Sequence, residues 1–444
     1  MTAEPGTTTP SSAELPGLAD VLGPAAELYL DVHRHPELSG VEARTAGRFA
    51  ERLASDGYEV TRGVGGHGVV GVLRNGPGPV VLLRAELDAL PVREDTGLPY
   101  ASAVTAPRPV MHACGHDMHL ACLSGAAALL SRTASGWSGT LVVVGQPAEE
   151  TLTGAAAMLA DGLYRRFPAP GVVLAQHTVP LPAGMVAHGD GPVLAAGATV
   201  EVVLHGRGGH AGAPQLAVDP VVAAAALVLR LQTVVSRETG PGEPLVLTVG
   251  RLHAGGAGNV IPDRAELEVT LRAFAPETLD RALAAVHRIV HAEAAASGSG
   301  RAPGIRVVNR SGTTVNDPEA ATAVRRAHED AFGAGRVARW QPSTATEDFP
   351  LLGPAGRDLH GVAGIRTCYW MLGAVGPEQW AAAGATAAER LAAVPGNHSP
   401  RFRPHVGLTL RTGVRALSAA ALTHLAAPAG SVKVASQTPS AVEG

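Results

Sequence analysis

The chain reads as an α/β protein: a mostly parallel sheet with helices on both faces, into which a second, smaller βαββαβ (ferredoxin-like) unit is inserted. Three observations predict this. Short apolar β-type runs alternate with helix-type patterns from Tyr58 to His177 and again beyond Thr314. Between residues 194 and 313 the order becomes strand-helix-strand-strand-helix-strand, the split βαβ pattern of a two-layer domain. Finally, 444 residues with 46% hydrophobic content exceed one ordinary core and suit two domains.

Residues 1–17 and 428–444 are rich in Thr, Ser, Pro and Gly and are expected to be disordered tails. From Leu18 to Gly57 the pattern is helical, interrupted by the turn-type stretch HRHPELSG. Three β-type runs follow, YEV, GVVGVLR and VVLLRAELD. A helix pattern comes after His116, then the strand TLVVVGQPAEE, the helix GAAAMLADGL and the strand GVVLAQHT. The segment ATVEVVLHGRG alternates like a half-exposed strand and opens the inserted unit. A long Ala/Val/Leu helix from Asp219 to about Ser236, the strands PLVLTVGRLH and RAELEVTLRAF, a helix from Pro276 to about Ala296 and the strand GIRVVNR complete it. The expected division is therefore a discontinuous larger domain, 18–193 with 314–427, and an insert, 194–313.

Composition narrows the function. With 39 acidic and 35 basic residues the formal charge is −4, so no surface for nucleic acid or anionic membrane is indicated. The chain has 18 His but only six Phe, five Tyr and four Trp, so imidazole outnumbers stacking platforms. Lys433 is the sole lysine, which excludes a GxxxxGK[ST] phosphate loop and a pyridoxal phosphate aldimine. Three cysteines are too few for a disulfide framework, the N-terminus has neither a basic start nor an apolar core, and no uninterrupted apolar run has spanning length. A cytoplasmic protein is expected. GVGGHG fits GxGxxG, but VVGVLR after it reads as a strand rather than a helix, so it is a glycine-rich turn. Neither GxSxG nor HExxH occurs.

The chemistry gathers where apolar strands end. VVLLRAELD ends at Glu86 and Asp88, LVVVGQPAEE at Glu149 and Glu150, and VVLAQH at His177. In open parallel sheets ligands bind beyond the carboxyl ends of the strands, where these groups would converge. HACGHD adds Cys114 and His116 just before a helix expected to begin near Asp117. A helix N-terminus or an adjacent cation would favour the Cys114 thiolate. Cys122, inside an apolar helix, reads as a small hydrophobe. Arg272, ending a charged alternating strand, reads on its own as half of a surface ion pair.

The stretches DVHRHPELSG, LRAELDALPV, HACGHDMH, QPAEE, GRGGHAGAP, DP, GNVIPD, TEDFP and NHSP occur in this order from about His33 to His424. In that order they resemble the indole-acetyl-amino-acid hydrolase, hippurate hydrolase and N-acyl-amino-acid amidohydrolase group, within the aminoacylase and carboxypeptidase superfamily of two-metal peptidases. The resemblance implies two divalent cations (Mn, Zn, Co or Ni) on Cys114, His116, Glu150, His177 and His398, with Cys114 bridging. It matches Glu149 to the catalytic glutamate and Asp88 to the acid that orients a metal-side group. His210, Asn259 and Arg272 match substrate-facing residues of the insert, which in the family also pairs two subunits into a homodimer. Two departures stand out: Glu86 replaces the usual Asp, and TLTGAAA replaces the glycine-rich segment after the two glutamates.

What this implies is hydrolysis of the amide of an N-acyl amino acid, with Glu149 as general base. His112 and His119 would support the ligand turn, the acids of TEDFP would brace the site, and His210 would help stabilise the oxyanion. Arg272 would hold the free carboxylate of the amino-acid half. The competing readings are a dipeptidase, aminopeptidase or biosynthetic deacetylase on the same scaffold, and a non-catalytic metal-binding protein. The last has no use for an unligated Glu149 beside its ligands.

Overall fold

The computed structural model describes residues 15–427; most of the two expected tails, 1–14 and 428–444, lies outside the described residues. Leu15 to Gly17, counted with the tail by composition, lead directly into the first helix, and Leu15 packs against the main core.

The strands are β1 (Glu59–Val64), β2 (Gly68–Asn75), β3 (Val80–Glu86), β4 (Gly139–Gln146), β5 (Val172–Pro182), β6 (Val186–His188), β7 (Pro192–Leu194), β8 (Ala196–His205), β9 (Gly209–His210), β10 (Leu245–Ala254), β11 (Val260–Ile261), β12 (Arg264–Ala273), β13 (Gly304–Ser311), β14 (Thr314–Val315), β15 (Val337–Arg339) and β16 (Arg366–Val375). Eight of them form the large sheet, in the order β1-β2-β4-β3-β5-β16-β6-β15. Its centre, β4-β3-β5-β16, is parallel, as the strand-helix alternation predicts. The β1/β2, β2/β4 and β16/β6 pairs are antiparallel. No helix separates β1 from β2, so the chain can only fold back on itself. GVGGHG supplies that turn, with Gly63, Gly65 and Gly66 at positive φ.

Both faces of the centre are buried, and successive residues go to opposite faces. Val81, Leu83 and Ala85 of β3, Leu141 and Val143 of β4, and Leu174 of β5 enter one core with helices Leu18–Arg34, Ala43–Ser55, His116–Arg132 and Val406–His424. Leu82, Val142, Val144 and Val173 face the other core, with Met158 and Phe349. This is why those strands read as continuous apolar runs.

The small sheet, β10-β12-β8-β13, is wholly antiparallel. Helices Pro220–Arg237 and Pro276–Ala296 cover one face, where Val200, Val202, Leu267 and Val269 meet Leu227, Leu231, Val286 and Val290. Alternate residues of β8 and β12 point to the uncovered face. The chain enters through β7 and leaves through β14, and these two pair, Thr314 opposite Leu194. Among the described residues one helix, Pro220–Arg237, is long and apolar enough to cross a membrane by length and composition; here its inner face packs on the small sheet.

Candidate metal centre

Strand order brings the ligand-type residues together. β4, β3 and β5 are neighbours, so Glu149–Glu150, Asp88 and His177 emerge side by side at one sheet edge. Cys114 and His116 join them from the turn that opens helix His116–Arg132. Gly115 caps that helix with φ 85°, and a Cβ there would collide with the Thr178 hydroxyl, so the turn requires glycine. His398 arrives on the loop before the last helix, with its backbone N–H donating to the Ala113 carbonyl at 2.8 Å. Ala148 and His398 both have positive φ, 51° and 69°, a conformation that costs a non-glycine residue about 1 kcal/mol or more. With Leu152 (φ 56°), which also lines the site, three residues at or beside it are thus held in strained backbone.

The cluster contains two triplets sharing one atom. Cys114, His116 and His177 offer ligand atoms within 4.8 Å of one another, and so do Cys114, Glu150 and His398. Cys114 Sγ lies 3.4 Å from His177 Nε2, and His398 Nε2 lies 3.6 Å from Glu150 Oε2. Among the described residues His116 Nε2 and Glu150 Oε1 are buried without a hydrogen-bond partner. The Nδ1 edges of His116 and His177 are instead engaged, by the Asp88 and Thr178 carbonyls at 2.9 and 2.8 Å. A ring held at Nδ1, with Nε2 unpartnered in His116 and facing only the Cys114 thiol in His177 among the described residues, is the arrangement a cation ligand needs. An unpartnered imidazole nitrogen and carboxylate oxygen beside a thiol and two further imidazoles fit a pair of divalent transition-metal ions.

Charge points the same way. Glu86, Asp88, Glu149, Glu347 and Asp348 are all buried, with Glu150 close by. The Arg84 guanidinium answers part of this charge, bonding Glu86, Glu347 (2.7 Å), Asp348 (3.1 Å) and Gln146 (2.9 Å). Burial and then the Glu347 and Glu150 carboxylates push Glu149 well above the usual carboxylate range. At Cys114, burial, then Glu150 and Glu149, drive the thiol upward. The helix N-terminus does not offset this, so deprotonation depends on a cation placed at the cluster.

The neighbouring histidines differ. His119 is bound at both nitrogens, Nδ1 to Glu86 at 2.8 Å and Nε2 to the Thr178 hydroxyl at 2.9 Å, so it braces the site through Glu86. His112, expected to give similar support, has no hydrogen-bond partner on either nitrogen among the described residues, and burial lowers its pKa to about 4. It is a neutral buried ring. Glu347 and Asp348 of TEDFP carry the Arg84 network, with the Tyr369 hydroxyl on Glu347 at 3.0 Å.

A cavity of about 460 Å³ opens over the cluster, lined by Cys114, Glu149, Glu150, His177 and His398 and roofed by the small sheet through Arg272. Arg272 is not in a surface ion pair. Its Nη1 donates to the Thr344 carbonyl at 2.9 Å and reaches the Thr346 hydroxyl at 3.3 Å. Within the chain His210 and Asn259 do not reach this cavity. They line a separate hollow by the β9/β11 pair, where His210 Nδ1 accepts from Gly212 N–H at 2.9 Å. The sequence reading missed Arg84, whose signal was a lone charge inside an apolar strand, and Asn397, which ties the Cys114 and Thr178 carbonyls at 3.0 Å each.

Fold and site together define an α/β scaffold that carries a candidate two-metal centre at the edge of its parallel sheet. Residues 82–391 match the model of peptidase family M20/M25/M40, and the chain belongs to that family. Membership makes it a metal-dependent amidohydrolase. It is 36% identical over 342 residues to the hippurate hydrolase of Campylobacter jejuni, covering 76% of this chain and 86% of that one. An N-acetylcysteine deacetylase of Bacillus subtilis is 37% identical over 276 residues, 61% of this chain and 70% of the relative. Among solved structures, Bacillus subtilis YxeP, described as a dinuclear metal binding peptidase, superposes with a TM-score of 0.67 at 27% identity, over 91% of this chain and 99% of that one.

Proposed function

We propose that the protein hydrolyses the amide bond of N-acyl amino acids. The observation that carries this is Glu149: a buried carboxylate 3.7 Å from His116 Nε2 that belongs to neither triplet sharing Cys114. Cys114, His116, Glu150, His177 and His398 would hold two divalent cations, and thiolate, imidazole and carboxylate together admit Mn, Zn, Co or Ni. When bound, such a pair polarises a carbonyl and lowers the pKa of water towards ~7.

The chain's own groups do the rest. Glu149 takes a proton from the attacking water and passes it to the leaving amine, a role its burial among carboxylates suits by raising its proton affinity. Asp88 fixes the His116 ring. Arg272, released from Thr344, grips the substrate carboxylate with its planar fork. The apolar wall of the cavity, Val179, Leu194, Trp340 and Met371, receives the acyl group.

We take 18–193 with 314–427 as the catalytic domain and 194–313 as a lid that pairs two chains. In support, helix Pro220–Arg237 exposes Val222 and Leu229, and the edge strand β13 exposes Val307 and Val308. His210 and Asn259, outside their own chain's cavity, would then serve the partner's site. The odd cysteine count supports a cytoplasmic location.

The test is to measure bound metal and assay release of free amino acid from acetyl, benzoyl, long-chain and indole-acetyl conjugates, beside a panel of dipeptides. Release from the conjugates is the expected result. Turnover of dipeptides alone would make the protein a peptidase, and turnover of acetyl substrates alone a deacetylase, as one relative is named.

A further inference from the structure

We propose that Thr270, Thr199 and Asn309, a row on the open face of the small sheet, form a subsite for an uncharged carboxamide side chain on the amino-acid half of the substrate; this rests on the N-acyl amino acid reading above. The three are cross-strand neighbours, Thr270 opposite Thr199 and Thr199 opposite Asn309. With strands about 4.8 Å apart the row spans about 10 Å. All three line the cavity that holds Glu149 and His398. Their backbones are committed to the sheet, while their side chains make no hydrogen bond within the described residues.

The third member depends on an irregularity. Val307 pairs with Val200, yet Asn309, not Val308, pairs with Thr199. One extra residue, Val308, is inserted there, which brings Asn309 opposite Thr199 and onto the cavity face. Bulges beside binding sites re-aim side chains in this way.

The chemistry of the row selects its ligand. Hydroxyl and carboxamide groups both donate and accept, so they match a group that does both. A charged side chain would need a countercharge, and the next row offers none that is free: Glu268 pairs with Arg251 at 3.2 Å and Glu201 with Arg306. Thr270 lies two residues before Arg272 on β12, so the row is one pleat repeat, about 7 Å, from the guanidinium assigned to the α-carboxylate. A side chain of Gln or Asn length, branching from the same α-carbon, can cover that distance. The acyl group keeps the opposite, apolar wall.

The test compares kcat/KM of the metal-loaded enzyme for N-acetylglutamine and for N-acetylmethionine, which is similar in size but has no amide. Variants Thr199→Val, Thr270→Val and Asn309→Ala are measured alongside, with melting curves to show that each folds. Expected are a wild-type preference for the glutamine substrate of about tenfold or more and a several-fold fall of that ratio in each variant, mainly through KM. A wild type that favours methionine, or a ratio unmoved in all three folded variants, overturns the subsite while leaving amide hydrolysis standing. A wild type that cleaves no N-acyl amino acid overturns both.

Discussion

His116 turns its Nδ1 edge onto Asp88, 2.9 Å from the carbonyl and 3.2 Å from the carboxylate, and so aims Nε2 between Glu149 and Glu150, at 3.7 and 3.8 Å. The two adjacent glutamates then separate. Asp88 Oδ2 accepts the Glu150 backbone N–H at 2.9 Å, and the Glu150 carboxylate reaches His398. Glu149 lies within ligand distance of His116 and Glu150 on one side and of Glu347 and Asp348 on the other, but not in either group that contains Cys114. One acidic side chain thus organises a would-be ligand on each side and leaves Glu149 over for proton transfer.

Glu149→Gln should retain both metals and lose turnover by ~10²–10⁴-fold or more, the usual contribution of a general acid–base. Metal analysis beside kcat reads it. An empty site in the variant would show that Glu149 is a ligand.

Cys114→Ser should weaken metal binding by roughly tenfold or more, because a serine hydroxyl is a poorer ligand that stays protonated. Cys122→Ser should leave metal content unchanged, since Cys122 is packed in the main core with its Sγ toward the Leu410 carbonyl at 3.9 Å. Titration of the apoproteins with Zn would expose a reversal of the two.

Alkaline stability should hinge on His33. Burial opposes its protonation, but Asp117 at 2.6 Å and Glu94 at 3.2 Å outweigh burial and lift its pKa from 6.5 to about 9. A folded-state pKa above the unfolded one gives stability that is complete below pH 6.5 and lost as pH rises through about 9. The size is on the order of 3 kcal/mol. The melting temperature should therefore fall between pH 7 and pH 10 in wild type, whereas His33→Gln should start lower and change less. Parallel curves for the two would assign the loss to other groups.

The sheet-edge site was readable because apolar strands ending in Asp, Glu and His leave a chemical signature at a place the fold rule already marks. Arg84 was not, since a strand buried on both faces has no polar face on which a charge can be expected, and only the fold shows Glu347 and Asp348 arriving to meet it. Asn397 was missed because its two bonds go to backbone carbonyls, for which side-chain patterns carry no information. The upward shift of the Cys114 thiol comes from burial first and then from the surrounding carboxylates, neither of which spacing along the chain reveals. Loop geometry was equally hidden: nothing in NHSP marks His398 as a left-handed residue.

His210 supplies the sharpest test of how two chains cooperate. It stands exposed on β9, opposite Val260, and faces a hollow away from the cavity of its own chain. If the lid pairs two subunits, this histidine donates to the oxyanion in the partner's site, and its removal costs about 10²–10³ in turnover with little change in ground-state binding. Glu149→Gln and His210→Ala subunits would then each be nearly inactive alone. In a mixed dimer one of the two composite sites joins an intact Glu149 to an intact His210 from the other chain. Random exchange at equal amounts makes half the dimers mixed, so activity should return towards about one quarter of wild type. Exchange is checked independently by tagging one variant and recovering the other with it. No recovered activity despite demonstrated exchange would place His210 outside the shared site and confine catalysis to groups of a single chain.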